Sequence, residues 1–184
     1  MKKIAILIYF TLLAFFCQAQ VITSVKQESG KVVFRDTVSS NLSKEEIRLR
    51  LINRLNTQLL PHAGIITSDD TVQGIITCRM MDFLEMEQKA FSVFTMYLRY
   101  RLILQYFDKQ CIITIKNIYF IDPADYKTKD AVSLQEKWIS AELVMLEKKY
   151  NVLTVKNASG KLTDATIQRL NEVFETTRKA VIAD

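Results

Sequence analysis

Hydrophobic and polar positions along this chain change period several times, and each change marks an element. Lys31-Val32-Val33-Phe34-Arg35-Asp36 is a short β-prone run that gives way to polar residues from Thr37 to Asn41. Ser43 with Glu46 three residues later forms a capping box, so a helix begins there. Ile47, Leu51, Ile52, Leu55 and Leu59 recur at helical spacing, whereas Arg48, Arg50, Asn53 and Arg54 fall largely off that face, and Pro61 ends the run. The pattern predicts a surface helix with one apolar side.

From Gly64 the period becomes two. Ile65-Ile66-Thr67, a turn at Ser68-Asp69-Asp70-Thr71 and a second run from Gly74 to Phe83 predict a hairpin. In the longest run, Phe94, Met96, Leu98, Tyr100, Leu102, Leu104 and Tyr106 point one way, and Thr95, Tyr97, Arg99, Arg101, Ile103 and Gln105 the other. One face of this strand is core and the other is wet. Phe107-Asp108-Lys109-Gln110 turns the chain into Cys111 to Ile121, where Cys111, Ile113 and Ile115 keep one phase and Ile118 and Phe120 take the opposite one. A bulge near Asn117 accounts for the switch.

Beyond Pro123, Ala124 to Leu134 is polar and loop-like; Ile139, Leu143, Leu146 and Tyr150 then fall at helical spacing beside Trp138. The last helix is read with Thr163 as N-cap, Asp164 at its positive end, a stripe of Ile167, Leu170, Val173, Phe174, Thr177 and Val181, and Arg178 and Lys179 at its negative end. No internal repeat is visible. The element order is β-α-β-β-β-β-α, which predicts an α+β fold with helices packed on one face of an antiparallel sheet.

The N-terminus carries a different signal. Lys2-Lys3, the apolar run Ile4 to Phe16 and small residues at Cys17 and Ala19 read as a secretory signal peptide cleaved between Ala19 and Gln20. The run is too short to span a bilayer, and no other segment approaches the required length. Phe16 before Cys17 disfavours lipid attachment at that cysteine, because the lipoprotein pattern has a small residue there. The expected product is an exported, periplasmic or secreted chain with no transmembrane segment: residues 1–19 are the signal, and 20–184 form one domain with 122–162 inserted before the last helix. Removing Lys2 and Lys3 takes Lys+Arg from 25 to 23 against 20 acids, so the net charge falls from +5 to +3. That balance and that compartment disfavour nucleic acid as a partner. Four Gly and two Pro in 184 residues also argue against Gly-rich phosphate loops. Cys78 and Cys111 remain, in a compartment that permits a disulfide, and buried free thiols fit their apolar runs equally well.

Several of these features occur together in one group. The signal peptide ending in Cys-Gln-Ala-Gln, the Lys31 to Asp36 strand, the Ser43-Lys44-Glu45-Glu46-Ile47 helix start, the Asp69-Asp70 turn with Gly74, and Lys116-Asn117-Ile118-Tyr119-Phe120 resemble the secreted Bacteroidetes-type domain of unknown function with a TBP-like fold. The resemblance covers Lys31 to Phe120 and, more loosely, the C-terminal helix, and leaves Asp122 to Leu162 unexplained. It implies a curved antiparallel sheet backed by two helices, with no activity and no catalytic residues to carry over. Likeness in fold to a DNA-binding protein is no evidence of DNA binding.

Catalytic motifs are sparse. His62 is the single histidine and has no evident partner, and no Gly-x-Ser-x-Gly, Walker-type, dinucleotide-type or Cys-x-x-Cys spacing occurs. Met80, Met81, Met86 and Met96 read as core filling, and no metal or other cofactor is implied. Asp36-Thr37-Val38 and Asp70-Thr71-Val72 look like three-residue O-glycosylation acceptors, and Asn157-Ala158-Ser159 matches the N-glycan sequon. One constellation stands out, on the wet strand face. Thr77 and Arg79, then Tyr97, Arg99 and Arg101, then Thr114 and Lys116 would sit together on neighbouring strands as a cationic, partly aromatic platform. Arg79, Tyr97, Arg99, Arg101 and Lys116 are therefore the candidate binding residues, for a protein, a glycan or another anionic ligand of the cell envelope. The reading is a non-catalytic binding module; the alternative is a hydrolase-like enzyme using Asp69, Asp70 and Asp82.

Overall fold

The computed structural model describes residues 25–89, 92–127 and 136–182. Its elements are strands β1 (Gln27–Glu28), β2 (Lys31–Val32) and β3 (Phe34–Ser39); helix α1 (Lys44–Arg54), prolonged by a π-helical turn at Leu55–Leu59 and a last turn at Leu60–Ala63; strands β4 (Gly64–Asp70), β5 (Ile75–Lys89), β6 (Ser92–Phe107) and β7 (Gln110–Ile121); the short helix α2 (Pro123–Tyr126); strand β8 (Ile139–Ser140); a π-helical turn at Glu142–Leu146; and helix α3 (Ala158–Val181). The expected signal and its cleavage site, with Cys17, Ala19 and Gln20, lie outside the described residues, as do positions 128–135 and the side chain of His62.

All pairings are antiparallel, in the order β3-β7-β6-β5-β4, with β8 added to β7. The two-residue period of β6 and β7 places one set of side chains under the helices, where Met96, Leu98, Tyr100, Leu102, Leu104, Ile113, Ile115 and Phe120 are buried. Helix α1 contributes Ile47, Leu51 and Leu55 to this layer, and α3 contributes Leu162, Leu170, Val173 and Phe174. The α+β architecture with helices on one sheet face is therefore the one its hydrophobic pattern predicts.

Salt bridges fix each helix to the sheet it covers. Arg48 on α1 binds Asp69 on β4 at 2.5 Å, and Arg169 and Arg178 on α3 bind Asp82 on β5 at 2.8 Å and Asp36 on β3 at 2.5 Å. The Arg178–Asp36 pair is buried on both sides, and removing one member would strand the other without water, which makes it costly to break. The start of α1 is capped as its sequence predicts, with both halves of the Ser43/Glu46 box formed. Those bonds to Ser43 hold the Glu46 carboxyl below its ordinary pKa.

Three local expectations are corrected. The turn expected at Ser68 to Thr71 lies later, because β4 continues to Asp70 and the chain reverses over residues 71–74. A register shift between Ile66 and Ser68 turns Asp69 to the helix side, where it meets Arg48. The helix expected across Ile139 to Tyr150 is instead two residues of strand, paired to Tyr119 and Phe120, followed by one π-helical turn that buries Val144 and Met145. Finally, α3 begins five residues before Thr163. Its N-cap is Asn157, in the left-handed region at φ 54°, whose side chain accepts from the Gly160 N–H at 3.2 Å. A first turn of Ala158, Ser159 and Gly160 has no apolar stripe, so its sequence reads as loop; a Cβ at Gly160 would meet the Asn157 carboxamide and displace it from the cap. Thr163 lies inside the helix and donates to the Ser159 carbonyl at 2.8 Å.

Candidate functional site

Strand register decides which members of the predicted platform meet. Arg79 on β5 stands opposite Arg101 on β6, which stands opposite Lys116 on β7. Three cations thus form one row across strands about 4.8 Å apart. Like charges directly opposite each other destabilise a sheet. Among the described residues, no ion pair relieves Arg79, Arg101 or Lys116. Thr77 and Thr114 flank the row on either side of Ile103. Arg35 follows on β3, bonded to Thr114 Oγ1 at 3.4 Å and paired with Glu28 at 3.1 Å, so the row itself remains the unneutralised part of this face.

A bulge makes this arrangement. Arg99 faces Tyr119 while Arg101 faces Lys116, so β7 carries one residue more than β6 over this step. Asn117 absorbs it at φ 56°, a conformation that asparagine tolerates better than most residues. The extra residue lets Lys116 and Tyr119 share the outer face while Ile118 turns into the core. The phase switch in its sequence therefore has the physical cause assigned to it.

Arg99 and Tyr97 differ from the free platform residues that the alternation predicts. Tyr126 of α2 packs against Tyr97 on this half of the outer face, at 4.8 Å between ring centroids. The Arg99 guanidinium lies 4.0 Å from the Trp138 ring and 5.3 Å from that of Tyr119. Burial lowers the Arg99 pKa, and repulsion from Arg79 adds to the effect. Phe83 meets Tyr97 edge-on at 5.3 Å and closes the cluster at the β5 side. Lys137, next to Trp138, pairs with Asp125, next to Tyr126, at 2.8 Å. The outer face thus has two zones, an open row of cations and an aromatic cluster that keeps Phe83 51% and Tyr126 38% exposed. Alternation found Tyr97 and Arg99, but gave no sign that Tyr126 and Trp138, distant in sequence, would cover them.

The three carboxylates of the enzymatic alternative each hold a partner of the fold. Asp69 holds Arg48, raising the pKa of that guanidinium through their hydrogen bond, and Asp70 Oδ1 accepts from the Gln73 N–H in the turn at 2.9 Å. Asp82, 7% exposed, accepts from Tyr100 Oη and from Arg169, each at 2.8 Å. Burial works against the Arg169 charge, but its bonds to Asp82 and Glu172 outweigh this and raise its pKa. Burial, reinforced by Asp82, pushes the Tyr100 phenol well above its usual value. No group of carboxylates, thiols and imidazoles suited to a metal occurs among the described residues.

Cys78 and Cys111 are free and buried. They stand opposite Leu102 and Tyr106 of the strand between them. That stagger of four residues is about 13 Å along the strand, well beyond the reach of a disulfide. Of the four methionines read as core filling, Met80 and Met96 are fully buried and Met86 packs partly buried against the core, whereas Met81 stands opposite Arg99 on the outer face and is half-buried. Thr71 is exposed in its turn, Thr37 is exposed on β3, and Asn157 is committed to its helix cap.

No helix among the described residues is long and apolar enough to cross a membrane. No protein-family profile and no curated protein matches this chain. Solved structures do. A DUF4468 family protein from Bacteroides ovatus superposes with a TM-score of 0.70 at 18% identity, covering 89% of this chain and 94% of its own. A TBP-like protein from Parabacteroides distasonis gives a TM-score of 0.66 at 18% identity, covering 85% of this chain and 96% of its own. Both organisms are Bacteroidetes, the group to which the sequence resemblance points. The chain has a TBP-like α+β fold, similar over most of its length to domains of unknown function from that phylum.

Proposed function

We propose that this chain is an exported, non-catalytic binding module of the cell envelope that holds an anionic glycan on the outer face of its sheet. One observation carries the reading: Arg79, Arg101 and Lys116 oppose one another across three strands with no acidic partner among the described residues. An arrangement that costs stability in the free protein is offset when an anion lies along the row. Arg101 and Arg79 offer planar forks to carboxylate or sulfate, and Lys116 a compact charge. Exposed Phe83 and Tyr126 lie farther along the same face, where a sugar ring can stack. Export rests on the basic and apolar N-terminal sequence. The commitment of Asp69, Asp70 and Asp82 to structural partners supports the absence of catalysis.

The test is calorimetric titration with polygalacturonate oligosaccharides and with neutral galactose oligomers of equal length. The acidic series is expected to bind with an affinity that falls as salt rises, and Arg101→Ala with Lys116→Ala to weaken it by about tenfold or more. Equal binding of both series, or of an acidic peptide in preference to either, contradicts the glycan assignment.

A further inference from the structure

A second surface lies on the opposite edge of β5. Strand β4 pairs with β5 only over Ile75 to Met80, where Gly64 ends the pairing. From Met81 to Lys89, β5 pairs with β6 on one side and, among the described residues, with no strand on the other. Such an edge presents unpaired N–H and C=O groups in a row. Helix α3 runs beside it, leaving a cleft of about 390 Å³ lined by Asp82, Phe83, Glu85, Ala165, Gln168 and Glu172, among others.

An open strand edge beside a helix is the setting in which an extended peptide adds as a further strand. The geometry points to this cleft as a docking site for an extended, lysine- or arginine-bearing segment of another protein. Charge selects the occupant: Asp82, Glu85 and Glu172 line the cleft against the single cation Arg169, which is bonded to Asp82 and Glu172. Glu85 is exposed and forms no ion pair among the described residues. A second copy of this chain is a poor occupant. Edge-to-edge pairing of two β5 strands would set Glu85 of each copy beside a second acidic edge, whose Asp82 and Glu87 are already held by Arg169 and Lys161 of their own α3 and offer Glu85 no cation. Seven added residues along Met81 to Glu87 would extend about 23 Å, with alternate side chains directed toward Phe83 and toward α3. The cleft shares Phe83 with the aromatic zone of the outer face but includes none of the three cations of the row, and the proposal does not depend on glycan binding.

The experiment uses the whole folded protein and three synthetic peptides. One alternates Thr and Val with two central Lys residues, the second carries Glu in place of Lys, and the third is the lysine peptide N-methylated at alternate backbone amides. Fluorescence anisotropy is expected to give binding of the lysine peptide at least about tenfold tighter than of the other two. Hydrogen exchange over Met81 to Glu87 is expected to slow on binding. Glu85→Lys, which removes no ion pair of the fold, is expected to weaken the lysine peptide and strengthen the glutamate one. No lysine-peptide binding up to about 1 mM, equal affinity for both charges, or undiminished binding of the N-methylated form overturns the proposal.

Discussion

At the residue scale, the two thiols give the clearest titration behaviour. Burial pushes Cys78 and Cys111 from 9.0 up to about 12, with Asp36 adding a smaller contribution at Cys111. Between those values the unfolded chain loses thiol protons that the native state keeps, so unfolding is favoured as pH rises. The stability that the neutral thiols contribute is complete below 9.0 and declines toward about 12, by up to about 1.4 kcal/mol per pH unit for each. Urea unfolding between neutral pH and about pH 10 should show a steeper loss in the native protein than in Cys78→Ala with Cys111→Ala; parallel profiles would contradict the burial. The same burial predicts that a thiol reagent labels neither cysteine at neutral pH until the protein unfolds. Rapid stoichiometric labelling of the folded protein would place a sulfur at the surface.

At the element scale, β7 joins fold and site, because its bulge sets the outward residues beyond Lys116. Asn117→Gly should be tolerated, and Asn117→Val should cost about 1–2 kcal/mol in chemical denaturation, since a β-branched residue resists the left-handed conformation. The valine variant should also bind acidic glycan less tightly, as Tyr119 moves from beside Arg99; unchanged stability and binding would show that the bulge is not needed. Its sequence makes this element legible because Cys111, Ile113 and Ile115 disagree in phase with Ile118 and Phe120, and only an inserted residue reconciles them. The hairpin turn at Asp108-Lys109 and the α1 cap were legible for the same kind of local reason. What stayed hidden depended on distant partners. Trp138 meets Arg99 across 39 positions of sequence, and the start of α3 rests on an asparagine folded over a glycine. The alternation carries β5 only to Phe83, because Glu85 and Glu87 dilute the apolar pattern; the strand continues to Lys89, and most of its open edge lies in that continuation.

At the scale of the whole molecule, a curved sheet is held to two helices by an apolar layer and a few buried ion pairs. The Arg178–Asp36 pair joins the last helix to the first sheet strand across 142 positions, with each residue 8% exposed. Arg178→Ala should therefore lower unfolding stability by about 3–5 kcal/mol, measured by denaturant titration. A loss below about 1 kcal/mol would show that water reaches Asp36. By contrast, the outer row of cations has no ion pair to the scaffold among the described residues and is opposed by its own repulsion, so neutralising Arg79, Arg101 and Lys116 is expected to leave the fold standing. Residues unfavourable for stability are thus gathered on one face, as a face built to meet an anion would have them. The most direct test is a map of backbone amide shifts recorded while polygalacturonate oligosaccharide is added to the folded protein. The account predicts that the largest changes centre on Arg79, Arg101 and Lys116, extend toward Phe83, and vanish in the triple alanine variant while its fold persists. Changes confined to the helix side of the sheet, or none in the native protein, would contradict it.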